Sequence, residues 1–401
     1  MVATTASYTD ARYRATVGEG LDGVVRVSFN GFYGSGALLY DGMAVLTAAH
    51  LLQGGAGAAE VIFETVSGNQ TIRADQVLVH PDYDPVDGNH DLALVWLNQA
   101  APLSAERYQL YRSEDQIGQV FTMVGYGLTG TGATGASESF AATPVRMMAQ
   151  NRFDADARAL KIYLGAQMTW SPQTGTQLIA DFDDGSSTHD ALGRLIFRAD
   201  TGLGVDEGLI ASGDSGGPAF IDGRLAGVAS YTASLSRASA HPDIDNLANS
   251  SFGEIAAWQS LSYYQAWVDQ SVRAALPNAP SRPEDVVKAV PEGHSGTSYA
   301  YFLLQFTGVR SDPSEVLSVS YATRDGSAHA GSDYIAAAGR LSLYLGENQA
   351  AIPVEIMGDR IDELDEDFYL DVFDPVGGSF GAGVVKLTAV RTIVDDDPAL
   401  S

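Results

Sequence analysis

The chain of 401 residues contains no cysteine. It therefore has no disulfide framework, thiolate nucleophile or cysteine-based zinc site, and its rigidity must come from packing or bound ions. Basic residues are scarce: 23 Lys and Arg stand against 50 Asp and Glu, a formal charge of −27. Such a field repels phosphate backbones and anionic lipid, which excludes nucleic-acid binding and instead suits a salty or calcium-containing medium. No apolar run approaches the ~18 residues a membrane helix needs. The opening Met1-Val2-Ala3-Thr4-Thr5 lacks the basic and apolar regions of a secretory leader. An exported protein with this start has lost its leader or leaves by another route.

The composition, 45% hydrophobic and 18% charged, is that of a folded protein rather than a disordered acidic tail. Its length suggests two or three folding units. Short β-branched runs alternate with glycine turns from Val24-Val25-Arg26-Val27 through Ala44-Val45-Leu46-Thr47, Ala93-Leu94-Val95-Trp96 and Val120-Phe121-Thr122-Met123-Val124 to Leu225–Tyr231, predicting antiparallel strands. Tyr264, Trp267, Val268 and Val272 fall at helical spacing and predict one amphipathic closing helix. Pro277, Pro280 and Pro283 then forbid its continuation, so a linker is expected over 276–282. Beyond the linker the period is two: Leu317, Val319, Tyr321 and Thr323; Leu341, Leu343 and Leu345; Ile352, Val354 and Ile356; Phe368, Leu370 and Val372. That is a β-sandwich pattern. The expected organisation is a 1–19 extension, a β-rich unit over 20–275, the linker, and a sandwich over 283–397. The acidic, glycine-containing stretch from Gln173 to Glu207 reads as a surface insertion, with Asp181-Phe182-Asp183-Asp184-Gly185 as a solvated loop or a calcium ligand set lacking EF-hand spacing.

Three words carry chemistry: Leu46-Thr47-Ala48-Ala49-His50, His90-Asp91-Leu92-Ala93-Leu94 and Ser212-Gly213-Asp214-Ser215-Gly216-Gly217-Pro218. A serine hydroxyl is a weak nucleophile unless a histidine takes its proton, and that histidine needs a carboxylate to set its tautomer. The words supply one of each: Ser215, His50 and Asp91. Gly213 and Gly216 permit a tight turn in which the N–H groups of Gly213 and Ser215 converge on a developing oxyanion. His80 and His90 are rival bases, but neither has the Thr-Ala-Ala context. In order and wording these segments resemble the trypsin-like (chymotrypsin-fold) serine peptidases over roughly residues 20–272. His80-Pro81-Asp82-Tyr83-Asp84, Val124-Gly125-Tyr126-Gly127, Ser230-Tyr231-Thr232 and Trp267 add to the match. The resemblance implies an all-β catalytic unit of two six-stranded antiparallel barrels with the triad in the cleft between them, acting on proteins or peptides.

The departures matter too. The places of the family's disulfides are taken by residues such as Gly34, Leu51 and Ala211. The cleaved Ile-Val-Gly-Gly terminus that usually pairs with the aspartate before the nucleophile, here Asp214, is missing. Either Arg14–Gly20 is a degenerate version or another group satisfies Asp214. The resemblance puts the residue six before the nucleophile, Leu209, at the floor of the specificity pocket, with Ser230, Tyr231 and Thr232 as one wall and Gly253 as the other. An apolar preference follows, unless Asp206 or Glu207 reaches the floor instead.

In the C-terminal unit Glu292, Asp333, the run Asp359-Arg360-Ile361-Asp362-Glu363-Leu364-Asp365-Glu366, and Asp395-Asp396-Asp397 gather more negative charge than a sandwich tolerates without a hard cation, and Ca²⁺ is the natural one. With Tyr321–Ala328 and Gly331-Ser332-Asp333-Tyr334, this pattern resembles the Calx-beta domain of sodium–calcium exchangers and bacterial surface proteins. The resemblance implies as ligands Glu292, Asp333, Asp359, the Ile361 carbonyl, Glu363, Glu366, Asp395, Asp396 and Asp397. Gly358 stands where the family often has another Asp. The resulting expectation is an extracellular or cell-surface serine endopeptidase with a calcium-binding accessory domain, no cofactor for catalysis, and a cell-surface or matrix contact through that domain. The second reading is a calcium-dependent adhesive protein using an inactive protease fold as a scaffold.

Overall fold

A computed structural model describes residues 2–53, 58–137, 139–140, 143–307, 312 and 316–397. The chain forms two compact units, one of residues 1–39 and 43–265 and the other of 40–42 and 266–401.

In the first unit the strands Val24–Phe29, Phe32–Leu38, Ala44–Thr47, Ala93–Leu97, Gly68–Val79 and Ala59–Thr65 close, in that spatial order, into a six-stranded barrel. Its interior is packed by Val25, Val27, Leu38, Val45, Val61, Phe63, Ile72 and Val95. The second half is built on an antiparallel sheet of seven strands, in the order Met147–Arg152, Val120–Gly125, Pro218–Ile221, Arg224–Ala233, Ile255–Ser260, Gln177–Asp181 and Ala155–Asp156. The seventh strand is the two-residue Ala155–Asp156, which pairs with Ile179 and Leu178. Phe121, Phe153 and Trp258 form the aromatic centre of this half, with Phe121 and Phe153 stacked at 3.9 Å. Val2–Thr4 adds a strand between Gly208–Ile210 and Gly130–Thr131.

The stretch from Gln173 to Glu207 is not the surface insertion its composition suggests. Gln177–Asp181 is an interior strand buried along its whole length, and the helix Ala191–Ile196 packs Leu192, Leu195 and Ile196 against Leu160, Leu164 and Met168. Segment 14–20 lies against a buried ion pair rather than against Asp214. Arg146 and Asp22, 1% and 0% exposed at their side chains, meet at 2.6 Å, and Gly18 N–H donates to Asp22 Oδ1 at 3.0 Å. Arg146→Leu would strand a buried carboxylate. It is expected to lower unfolding free energy by about 3–5 kcal/mol in denaturant titration, and a loss under about 1 kcal/mol would contradict this account of the segment.

The closing helix runs Leu261–Ala275 and buries Tyr264, Val268 and Val272. Its residues from Ala266 onward group with the second unit, because Asp269 accepts from Tyr344 Oη at 2.5 Å and Arg273 binds Glu347 at 3.2 Å and the Ser342 carbonyl at 2.7 Å. The unit boundary therefore falls inside the helix, ahead of the prolines. The second unit is a sandwich. Ala289–Pro291, Lys386–Val394, Glu366–Val376, Leu317–Asp325 and Ala338–Leu343 form one sheet in that order, and Thr297–Gln305 pairs with Gln349–Met357 in the other. The period-two residues Val319, Leu341, Ile352, Val354, Ile356, Phe368 and Leu370 face inward between the sheets. Leu345 lies past the end of its strand and is exposed.

Candidate active site

Asp91 sits just before the barrel strand Ala93–Leu97 and is 3% exposed. Its carboxylate takes three donors: His50 N–H at 2.9 Å to Oδ1, His50 Nδ1 at 2.8 Å to Oδ2, and Ser230 Oγ at 2.6 Å to Oδ2. The buried acceptor assigns the Nδ1–H tautomer to His50, whose side chain is one-third exposed and whose Nε2 then carries a lone pair. His50 reaches this place because the barrel strand Ala44–Thr47 ends in a short 3₁₀ turn, Ala49–Leu52, with Ala49 and Leu52 buried beneath it. His80 and His90 stack on each other at 4.9 Å, and His90 Nδ1 shares a hydrogen bond with Tyr264 Oη at 3.2 Å. Neither rival histidine is the one on Asp91.

Ser215 lies in the turn before Pro218–Ile221. Ser35 N–H donates to its carbonyl at 2.8 Å, and Ser35 Oγ donates to the Gly213 carbonyl at 3.0 Å. Both carbonyls are thus drawn inward to the first barrel. Among the described residues, neither the Gly213 nor the Ser215 N–H donates to a protein acceptor. The turn is tight: Gly216 has φ +80°, and a Cβ there would lie 2.1 Å from Thr47 Oγ1. Asp214 is buried, accepting from Gly127 N–H at 2.8 Å and Ala211 N–H at 2.9 Å. The Val-Gly-Tyr-Gly word thereby finds its reason, since a Cβ on Gly127 would sit 2.6 Å from Asp214 Oδ2. Burial pushes the Asp214 carboxyl up to about 6.

Two cavities adjoin these groups, sharing the strand Ser230-Tyr231-Thr232. One, of about 290 Å³, is lined by Ser215, Ile210, Ala211, Ser212, Leu128, Ala136 and Ser137, and by Ala248, Asn249 and Ser250 on its far side. The other, of about 440 Å³, borders His50 and Asp91 and is walled by Tyr83, Pro85, Val86, Asp87 and Trp170. Trp170 Nε1 donates to Tyr231 Oη at 3.0 Å, and Tyr231 Oη donates to Gln177 at 2.7 Å, which fixes this wall. Burial, reinforced by the charge of Asp91, pushes the Tyr83 hydroxyl up to about 12.

Two expected pocket residues lie elsewhere. Leu209 is 0% exposed in the hydrophobic core, and its neighbour Ile210 borders the cavity, because consecutive residues of a strand face opposite ways. Gly253 turns against the Pro242 carbonyl, and Asn249 and Ser250 supply the opposite wall. Asp206 pairs with Arg12, while Glu207 accepts from Asp183 N–H and Leu203 N–H, so neither is directed at the floor. The walls from Asn249 and Trp170 had no sequence signal. They come from loops whose course only the fold sets.

At one end of the sandwich the acidic residues gather as two triples, Glu292 with Asp395 and Asp397, and Asp333 with Glu363 and Glu366, each with carboxylate oxygens within 4.8 Å of one another. Asp359 N–H reaches Glu292 Oε1 at 3.3 Å, and Glu363 N–H reaches Asp395 Oδ2 at 3.2 Å, joining the triples. Burial and the Asp359 charge push Glu292 up to about 7, and burial with neighbouring carboxylates raises Glu363 and Glu366. Asp396 instead faces the Gly293 N–H at 3.0 Å, outside both triples, and the Ile361 side chain is exposed.

A six-stranded barrel carrying His50 and Asp91, a second sheet carrying the Ser215 turn, and a following sandwich with an acidic end fit a two-domain chain of the serine-peptidase kind. Residues 14–175 match the Trypsin family model and residues 305–397 match the Calx-beta domain model, so the chain carries a trypsin-like domain followed by a Calx-beta domain. The Trypsin match ends before the Ser215 word. Among curated proteins, the Sodium/calcium exchanger Calx of Drosophila melanogaster is 39% identical over 90 residues, 22% of this chain and 9% of that protein. Sodium/calcium exchanger 2 of Homo sapiens is 37% identical over 110 residues, 24% of this chain and 12% of that protein. The chain thus spans about a tenth of the length of these relatives. Among solved structures, neuropsin, a serine protease expressed in the limbic system of mouse brain, aligns with TM-score 0.46 and 21% identity, over 65% of this chain and 98% of that one.

Proposed function

We propose that the chain is an extracellular or cell-surface serine endopeptidase whose Calx-beta domain binds calcium. The observation that carries the catalytic reading is the His50–Asp91 pair at 2.8 Å, which borders one cavity sharing Ser230-Tyr231-Thr232 with a second cavity walled by Ser215, in a turn whose Gly213 and Ser215 N–H groups have no described protein acceptor. In this reading Ser215 Oγ attacks the peptide carbonyl as His50 Nε2 takes its proton. The two N–H groups hold the oxyanion, and Asp91 stabilises the imidazolium. His50 returns the proton to the leaving amine, and water then resolves the acyl-enzyme by the same steps.

Among its described lining residues the Ser215-side cavity has none with a formal charge, and Ile210, Ala211 and Leu128 make part of it apolar. A lysine or arginine side chain there would be desolvated without a counter-charge, costing several kcal/mol. Peptide libraries varied at the residue before the cleaved bond are therefore expected to favour Ala, Val and Leu, and to disfavour Lys and Arg at least 100-fold. A clear preference for basic residues would overturn the pocket reading, and a folded protein that cleaves no peptide would overturn the catalytic one.

The acidic end of the sandwich suits a hard divalent ion. Its carboxylates offer only oxygens, His294 Nδ1 lies 2.6 Å from Asp397 Oδ1, and among the described residues Asp397 Oδ2 is buried without a hydrogen-bond partner. Glu292, Asp395 and Asp397, with Asp333, Glu363 and Glu366, would hold calcium and have their mutual repulsion neutralised. At calcium 100-fold above its dissociation constant, native-state amide exchange in 355–368 and 390–397 is expected to slow about 100-fold. Asp333→Asn with Glu363→Gln should remove part of that protection. Equal exchange with calcium and with chelator would eliminate the site.

A further inference from the structure

The peptidase unit contains a third acidic group, well away in sequence from the other two. Asp181 ends the interior strand Gln177–Asp181, Asp183 follows it, and Asp190 precedes the helix Ala191–Ile196. All three side chains are buried, and each places a carboxylate oxygen within 4.8 Å of the others. Backbone donors account for only part of the set: Leu192 N–H binds Asp181 Oδ2 at 2.6 Å and Gly193 N–H binds Asp190 Oδ1 at 2.6 Å. Asp183, 3% exposed, has its Oδ1 buried with no hydrogen-bond partner among the described residues.

Among the described residues the surroundings supply only part of the missing charge, the Arg194 guanidinium lending some of its own to Asp190. Arg152 is held by Asp200, and the Arg194 guanidinium donates to the Thr188 carbonyl. Glu207, itself fully buried, adds a further carboxylate, which accepts from Asp183 N–H at 2.8 Å. Three buried carboxylates within one coordination radius, one of them with an unpartnered oxygen, must be neutralised by protons or by a cation, and a cation would also give that oxygen a partner.

We propose that Asp181, Asp183 and Asp190 bind a calcium ion inside the peptidase unit, independent of the Calx-beta clusters. The donors are all hard oxygens with no imidazole or thiolate, which selects calcium over zinc. The ion would tie the strand Gln177–Asp181 to the helix Ala191–Ile196. Through Glu207 it would also tie both to Gly208–Ile210, the strand whose Ile210 borders the Ser215 cavity.

The test uses the full chain carrying Ser215→Ala to prevent self-cleavage, with the Calx-beta clusters neutralised by Asp333→Asn, Glu363→Gln, Asp395→Asn and Asp397→Asn. Equilibrium dialysis against calcium with elemental analysis should leave one calcium per chain, and adding Asp183→Asn should reduce it to none. No bound calcium before Asp183→Asn, or undiminished calcium after it, would overturn the proposal. Should either variant fail to fold, amide exchange of the Ser215→Ala chain alone decides. Calcium should slow exchange across 177–193 at least tenfold. Unchanged exchange there, with slowing confined to the sandwich, would equally overturn it.

Discussion

Ser215→Ala is expected to lower kcat/KM for peptide hydrolysis on the order of 10⁵-fold while leaving the melting temperature and secondary structure unchanged. The substitution removes one oxygen at the wall of the cavity and disturbs no described hydrogen bond, because the contacts that hold the turn run through the Ser215 carbonyl and through Ser35. What remains is catalysis by the oxyanion donors and by substrate binding alone, roughly 10³–10⁴-fold over water in well-studied triads. Activity within tenfold of the parent would show that another nucleophile performs the reaction.

Asp91→Asn is expected to cost about 10⁴-fold in kcat at neutral pH with little change in KM. The carboxylate receives His50 N–H, His50 Nδ1–H and Ser230 Oγ–H, so an amide of the same shape keeps the packing. Its NH₂ group, however, would face a donor at His50 Nδ1 and drive the imidazole to the other tautomer, placing the proton on the nitrogen that must accept one from Ser215. The loss should therefore appear in kcat and shrink as pH rises and hydroxide takes over part of the base's work. A loss confined to KM would mean that Asp91 shapes the pocket and does not orient the base. Ser230→Ala, which removes only one of the three donors, should be much milder.

The His50, Asp91 and Ser215 words stand out because the chemistry demands three particular residue types, their order is that of the family they resemble, and the structure joins His50 to Asp91. The strands beside them are buried throughout and were legible as β-branched runs between glycine turns, whereas the sandwich strands were legible by their period of two. The residues around Asp214 were half legible: the glycines of Val-Gly-Tyr-Gly stood out, but only the fold reveals that they make room for a buried carboxylate. Leu209, expected at the floor of the specificity pocket, is buried in the core, and its neighbour Ile210 borders the Ser215 cavity. Counting back from the nucleophile locates the strand but not which of its faces meets the cavity, and Ile210 is on that face. The largest misreading is the stretch from Gln173 to Glu207. Acidic and glycine-rich composition suggests solvent, yet Leu178, Ile179 and Ala180 carry it through the interior of a sheet and take Asp181 and Asp183 inside with them. A buried acid cluster has the composition of an exposed one, and local pattern cannot separate the two.

The central claim, that His50 and Asp91 activate Ser215, is tested most directly by labelling the folded protein with a fluorophosphonate and mapping the adduct by peptide mass spectrometry. The account predicts stoichiometric, time-dependent phosphonylation of Ser215, abolished by Ser215→Ala and slowed at least 1000-fold by His50→Ala. A folded parent chain that takes up no label at Ser215, or that labels it no faster than the His50→Ala variant, would contradict the account and favour a protease fold retained as a scaffold.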